Sequence, residues 1–140
     1  MEKQILTFSQ QKILKLISEE NYFAENFYLT GGTALSAFYL KHRLSEDLDF
    51  FSEKEFDLIP INAFFKKIKP ELNTKDIDYQ KTFNRNIFML RLPKEILKIE
   101  FTYYPYEQIE IPQVINGIIV DSLLDIAVNK AFSITQRTTA

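Results

Sequence analysis

Two adjacent glycines, Gly31 and Gly32, constrain the fold of this chain more than any other feature of its sequence. The chain has only three glycines, and this pair separates an apolar strand pattern over residues 27–29 from a segment over residues 33–42 that is apolar on most sides. A helix of that composition must be largely buried, so the pair predicts a tight strand-to-helix turn beside the core. The N–H groups at such a helix start also favour a phosphate, and both roles, steric and ligand-binding, remain open at this stage.

A pair of carboxylates, Asp47 and Asp49, begins an apolar strand pattern shortly after the glycines. Residues two apart on a strand share a face, so these side chains converge. Like charges at that separation repel unless a cation lies between them, and Mg²⁺ prefers oxygen ligands of this kind. A second such pair, Asp76 and Asp78, is explained by an exposed strand face. We therefore predict a metal site at the first pair and a solvated surface at the second.

The composition restricts the chemistry available to these residues. The chain has no cysteine and one histidine, His42, which excludes thiolate and multi-histidine metal sites. We interpret His42 as a cap on the carbonyls that end the buried helix. The net charge of −2 argues against bulk non-specific binding to nucleic acid. Residues 41–59 are acidic overall and residues 60–100 basic overall, which suits a metal site beside a polyanion, although solvated lysines explain any single charge as well.

The hydrophobic pattern predicts one domain over residues 1–140 that contains both helices and strands. The chain is 46% hydrophobic and has no repeat and no linker-like segment. Helices are predicted over residues 9–25, 33–42 and 60–69, and from residue 122 onward. Strands are predicted over residues 27–29, 47–51, 76–83, 86–92, 96–103 and 117–120, with a hairpin turn at residues 93–94.

The sequence also bears on where the protein acts. No segment approaches the ~20 consecutive apolar residues that span a bilayer, and the first residues do not have the pattern of a signal peptide. We expect a cytoplasmic protein that does not associate with membranes.

Three motifs occur in a fixed order: Gly-Gly-Thr at residues 31–33, Arg-x-Ser at residues 43–45 and Asp-x-Asp at residues 47–49. Together they resemble the nucleotidyltransferases of the DNA polymerase beta superfamily and, more closely, the AbiEii/AbiGii toxin family. The resemblance runs from about residue 27 to the last residue, and the combination is far more specific than any of its parts. It implies an α/β nucleotidyltransferase fold with a mixed β-sheet flanked by helices. It also implies two Mg²⁺ or Mn²⁺ ions on three carboxylates, and a nucleoside triphosphate (NTP) held at the Gly-Gly-Thr turn.

The resemblance assigns roles to individual residues. The third carboxylate comes from a later strand beside the Asp-x-Asp strand, and Glu100 is the candidate because it projects opposite the core-facing Ile99 and Phe101. A surface glutamate on an alternating strand is the alternative. The family commonly has an aspartate there, so the side chain here is longer. The predicted catalytic and metal-binding residues are Asp47, Asp49 and Glu100.

A lysine in the final helix, Lys130, is similar to a family lysine that contacts the nucleotide, and a point charge suits a triphosphate. A lysine on the open face of a terminal helix would look the same. Aromatic residues beside Glu100, at positions 103, 104 and 106, are predicted to fill the core, or one or two of them to stack a base. The predicted nucleotide-binding residues are Gly31, Gly32, Thr33, Arg43, Ser45 and Lys130.

Two functions are open from the sequence. The first, which we favour, is a metal-dependent enzyme that moves a nucleoside monophosphate from an NTP to a hydroxyl and releases pyrophosphate. The resemblance suggests an RNA or tRNA end as acceptor, in a toxin–antitoxin or phage-defence (abortive infection) setting. The second is a catalytically inactive module of the same fold that binds a nucleotide, RNA or a protein.

The final predicted helix is apolar on more than one face. Family members continue past it with a helical region, which we expect to be absent from these 140 residues. A partner such as an antitoxin, or a second copy of the chain, is therefore predicted to cover the helix, because large exposed apolar patches are uncommon on monomers. The residues concerned are Leu123, Leu124, Ile126, Ala127, Val128, Ala131 and Ile134.

Overall fold

A computed structural model describes residues 6–34, 37, 39 and 47–139, of which residues 133–139 are described by their backbone only. The helices are α1 (Phe8–Ser18), α2 (Asn21–Asn26), α3 (Gly31–Ala34), α4 (Leu58–Ile68) and α5 (Leu123–Thr139). The strands are β1 (Tyr28–Thr30), β2 (Asp47–Ser52), β3 (Ile77–Thr82), β4 (Arg85–Arg91), β5 (Ile96–Tyr103), β6 (Gln113–Ile115) and β7 (Ile118–Val120).

The strands form one mixed sheet in the order β3-β4-β5-β2-β1-β7-β6. The pairs β2–β5 and β1–β7 are parallel, and the other neighbouring pairs are antiparallel. This confirms the expected α/β class, a mixed sheet flanked by helices. The central strand β2 lies between β1, which leads into the glycine pair, and β5, which carries Glu100.

An aromatic core fixes which face of the sheet is covered. The ring of Phe101 on β5 stacks on Phe23 of α2 at 5.6 Å and on Phe50 of β2 at 5.3 Å. Phe65 of α4 lies 4.6 Å from Phe88 of β4. Because side chains alternate across a strand, the neighbours of these residues point to the opposite face, where the carboxylates of β2 and β5 lie.

The first helix differs from its prediction over residues 9–25. It begins after Thr7, whose hydroxyl forms a capping box with Gln10, and it ends at Ser18. Glu20 has an extended backbone, which separates α1 from α2. The break lets Phe23 pack against Phe64 and Phe101, and this tertiary packing is favoured over the continuous helical periodicity.

The second half follows the predicted pattern, with one added strand. The β4–β5 hairpin and the start of α5 are as predicted, the latter with Ser122 accepting a hydrogen bond from the Asp125 N–H. Strand β6 was not predicted. It pairs with β7 across Asn116 and Gly117, which both have positive φ, as an Asn-Gly hairpin turn requires. Most of the predicted helix over residues 33–42 lies outside the described residues.

Candidate active site

The register of two parallel strands brings the predicted carboxylates together. Asp49 on β2 lies directly opposite Glu100 on β5, and Asp47 lies opposite Lys98. Alternate strand residues share a face, so all three carboxylates stand on the face opposite the aromatic core. The two segments are far apart in the chain, and only the pairing of β2 with β5 makes them one site.

The glycine turn lies directly against this site. Gly31 has a φ of +83°, and a Cβ built on it would lie 2.3 Å from Oδ2 of Asp49. Thr30, the residue before it, is the strand partner of Asp49. The buried Thr33 donates its hydroxyl hydrogen to the backbone carbonyl of Asp47. Gly31 is therefore required twice, by its backbone conformation and by the absence of a side chain beside Asp49.

The carboxylates lie close enough to perturb one another. The pKa of Asp49 is raised to about 8, chiefly by burial and then by the charge of Glu100, a hydrogen bond with Glu100 and the charge of Asp47. Lys98 opposes this shift. Burial and the neighbouring carboxylates therefore favour the protonated form of Asp49 when no cation is bound.

Two cationic side chains pair with the carboxylates. Nζ of Lys98 lies 3.5 Å from Oδ2 of Asp47, and Nε of Arg85 donates to Oε1 of Glu100. Within the part of the chain that the structure describes, no three acidic or imidazole groups are gathered into a ready metal site. The donor set still fits a hard divalent cation, since it offers carboxylate oxygens from adjoining positions on one face of the sheet.

The remaining predicted site residues are only partly described. Lys130 is exposed on α5, and this helix lies against α3, which begins with Gly31 and Gly32. Arg43 and Ser45, and the predicted cap His42, lie outside the described residues.

The second acidic pair lies on a solvated surface, as expected. The side chains of Asp76 and Asp78 are both more than half exposed. Both pair with Arg91, at 3.9 Å and 3.1 Å respectively. The exposed pair is thus solvated and paired with a cation, whereas Asp49 is crowded by the neighbouring carboxylates.

A polar network that the sequence did not predict joins β1 to α5. Asp121 is fully buried and accepts hydrogen bonds from Gln108 at 2.7 Å and from Asn129 at 3.0 Å. Its backbone N–H donates to the carbonyl of Leu29, next to the glycine turn. Burial raises its pKa to about 6, against the opposing effect of its hydrogen bonds. The only sequence signal was the capping box that follows it, which marks a helix start and says nothing of a buried acid.

Aromatic rings extend the carboxylate face toward α5. Tyr104 stacks on Phe51 at 4.6 Å, and Phe51 is two residues from Asp49 on β2. Tyr106 lies 4.7 Å from Tyr104 and 5.4 Å from Phe132 of α5. These tyrosines are partly exposed and do not belong to the aromatic core on the other face of the sheet.

The family described as nucleotidyl transferase AbiEii toxin, type IV toxin–antitoxin system, matches residues 15–140. No curated protein sequence matches the chain. Within the described residues, no helix is both long and apolar enough to cross a membrane.

Two solved structures from Helicobacter pylori are similar to this chain. An inferred nucleotidyltransferase is 25% identical, with a TM-score of 0.64 over 87% of this chain and 56% of its own. The protein JHP933 is 25% identical, with a TM-score of 0.61 over 86% of this chain and 53% of its own. The present chain therefore spans little more than half the length of these two proteins.

Proposed function

Because this chain belongs to the AbiEii family of nucleotidyltransferase toxins, we propose that it transfers a nucleoside monophosphate from an NTP to an acceptor hydroxyl. The acceptor oxygen bonds to the α-phosphorus, the bond between the α-phosphorus and the bridging oxygen breaks, and pyrophosphate leaves with the electron pair. The hydroxyl proton is released to solvent. The observation that carries the proposal is the alignment of Asp49 with Glu100, beside the glycine turn at Gly31.

We assign the binding of Mg²⁺ or Mn²⁺ to Asp47, Asp49 and Glu100. An ion bound there would lower the pKa of the attacking hydroxyl and offset the charge of the triphosphate. Lys98 and Arg85 hold the side chains of Asp47 and Glu100 in place by ion pairs until a cation competes for them. Thr33 holds the backbone of β2 at Asp47 through its hydrogen bond, so it positions the metal-binding strand.

The nucleotide is proposed to lie between the glycine turn and α5. Gly31 and Gly32 leave the backbone open to close approach of phosphate oxygens, and Lys130 supplies a charge for them. Arg43 and Ser45 are assigned to the same nucleotide on the strength of the Arg-x-Ser motif alone. The acceptor is proposed to be an RNA or tRNA end. The setting is proposed to be a cytoplasmic toxin of phage defence by abortive infection, controlled by an antitoxin partner.

One observation favours a second candidate function, a nucleotide-binding module without catalysis. The ion pairs Arg85–Glu100 and Lys98–Asp47 engage two of the three carboxylates that the reaction needs. A module of this kind would bind an NTP without transferring any part of it.

A transfer assay separates the two candidates. The protein is incubated with α-labelled NTPs, total RNA and Mg²⁺ or Mn²⁺, and label incorporated into RNA is measured beside the binding of each NTP at equilibrium. Incorporation that requires the divalent ion supports the enzyme. Binding of NTP without incorporation, with every nucleotide and both ions, would support the module instead.

A further inference from the structure

The tip of the β3–β4 hairpin presents an aromatic ring to solvent. Phe83 is 92% exposed, as exposed as any large hydrophobic residue in the described part of the chain. Its φ is +54°, a left-handed conformation that bulky side chains rarely adopt. Residue 83 is the first position of a two-residue hairpin loop between Thr82 and Arg85, where positive φ favours Gly, Asn or Asp. The phenylalanine therefore costs conformational energy and gains no burial in return.

This tip is attached to the carboxylate site. Arg85, at the start of β4, pairs with Thr102 in register and reaches along β5 to the side chain of Glu100. The loop carbonyl of Asn84 accepts a hydrogen bond from the N–H of Tyr103 at 3.1 Å. From the rise of a strand, the tip lies on the order of 10 Å from Glu100. That distance is close to the length of three stacked nucleotides, at about 3.4 Å each.

The surroundings of Phe83 are basic and polar. Residues 79–87 include Lys81 and Arg85 and no acidic residue. The neighbours of Phe83 on either side, Thr82 and Asn84, are polar as well. Binding sites for protein partners generally have a buried apolar centre of several residues. Arg85 is paired with Glu100, so Lys81 is the cation near the ring that is available to a ligand. A single exposed ring with a lysine near it in a polar hairpin instead has the features of a base-stacking platform for single-stranded nucleic acid.

We propose that the β3–β4 hairpin tip binds a single-stranded stretch of nucleic acid, with one base stacked on Phe83 and an adjacent phosphate near Lys81. This inference rests on the proposed function in one respect: the bound strand is the acceptor, and its reacting hydroxyl lies at the carboxylates, about three nucleotides away. The tip then selects acceptors whose end is unpaired, because a base within a duplex has no free face to stack on Phe83.

The direct test is equilibrium binding of a labelled single-stranded RNA 12-mer, measured by fluorescence anisotropy without NTP or divalent ions. Phe83→Ala should weaken binding by about five- to a hundredfold, the usual range for the loss of one stacked base. Phe83→Trp should bind as tightly as the wild type or more tightly. Phe8→Ala is the matched control, because Phe8 is 79% exposed at the start of α1 and should leave the affinity unchanged.

Two further variants distinguish binding from folding. Phe83→Gly relieves the left-handed backbone, so it should keep or raise the melting temperature while it weakens RNA binding as Phe83→Ala does. Lys81→Gln should lower the slope of log affinity against log salt concentration by about one.

The proposal is overturned if the wild type does not bind single-stranded RNA, or if Phe83→Ala and Phe83→Gly bind it as the wild type does. In the latter case the exposed ring serves another contact, such as a protein partner. The assay requires no chemistry, so RNA binding that depends on Phe83 in a protein without transfer activity would refute the proposed function alone. Transfer activity with an unchanged KM for RNA in Phe83→Ala would refute only the role of the hairpin tip.

Discussion

Gly31 has no room for a side chain, because its φ is positive and the carboxylate of Asp49 lies beside it. Replacing it with alanine places a methyl group against Oδ2 of Asp49 at a φ of +83°. We expect Gly31→Ala to lower the free energy of unfolding by about 1–3 kcal/mol and to abolish nucleotide transfer, because Asp49 must move. Thermal unfolding and the transfer assay measure the two effects.

Gly117 provides the control for that substitution. It has a similar φ of +81°, and a Cβ there would approach the Cβ of Ser18 at 3.1 Å, on the helix side of the sheet. Gly117→Ala should therefore cost stability without a specific loss of activity. Equal losses of activity per folded molecule in the two variants would argue against a role of Gly31 in the site.

The crowding of Asp49 gives a second prediction at this scale. Asp49→Asn removes a carboxyl that burial and two like charges disfavour, so it should not lower the free energy of unfolding in metal-free buffer. The same change should reduce transfer by about a hundredfold or more, since a metal ligand contributes several kcal/mol. Asp47→Asn should reduce transfer similarly. The double variant of Asp76 and Asp78 to Asn is the control, and its inactivity would show that the wrong pair had been assigned.

Sequence alone predicted these carboxylates better than it predicted their partners. Asp47 and Asp49 follow from a motif. Glu100 follows from the family resemblance, which implies a third carboxylate on a neighbouring strand, together with strand alternation. Arg85 and Lys98 were not predicted, because a cross-strand partner depends on the register of β4, β5 and β2, and hydrophobic alternation fixes only the face of each residue.

At the scale of the elements, the junction of β7 and α5 makes the free energy of unfolding depend on pH. Burial raises the pKa of Asp121 to about 6, above its ordinary value, so the folded protein holds this proton more tightly than the unfolded chain. The stability gained in this way is complete below about pH 4 and is lost as the pH rises through 6. The free energy of unfolding of the wild type, relative to Asp121→Asn, should fall by about 2 kcal/mol between pH 4 and 7.

Denaturant unfolding of the two proteins at several pH values measures this difference. Comparison with the variant cancels the titration of the other acids, which both proteins share. A difference that stays constant between pH 4 and 7 would mean that Asp121 remains ionised in the folded protein.

Hydrophobic periodicity predicted some helices and strands correctly and missed others. The positions of β2, β4, β5 and the start of α5 followed from alternation and a capping box. The break between α1 and α2 did not, because it depends on the packing of Phe23 against Phe101, a contact distant in sequence. Strand β6 has too few residues for a period, although the Asn-Gly pair after it is a hairpin signal.

At the scale of the whole molecule, α5 leaves apolar side chains uncovered. Leu123, Leu124 and Val128 are all at least 40% exposed, whereas Ile126 on the same helix is buried. We expect this chain to associate in solution through α5, because burying these side chains removes apolar surface from water. Sedimentation should show a rising mass with concentration, and Leu124→Lys should shift the protein toward monomer.

A monomer at tens of micromolar that binds little hydrophobic dye would contradict this prediction. Ile109→Lys is a useful control, since Ile109 is 60% exposed and lies outside α5. An equal shift toward monomer in that variant would place the association surface beyond the helix.

The pairing of β2 with β5 also affects when the site forms during synthesis and folding of the chain. Asp49 emerges from the ribosome well before Glu100, and β3 and β4 are synthesised in between. We expect parallel pairing across so long a loop to form late, because the entropy of closing the loop is lost before the contacts are gained. A partly synthesised chain therefore has no complete set of carboxylates. For a member of a toxin family, this delay means that the host cell meets the assembled site only after the sheet has closed around it.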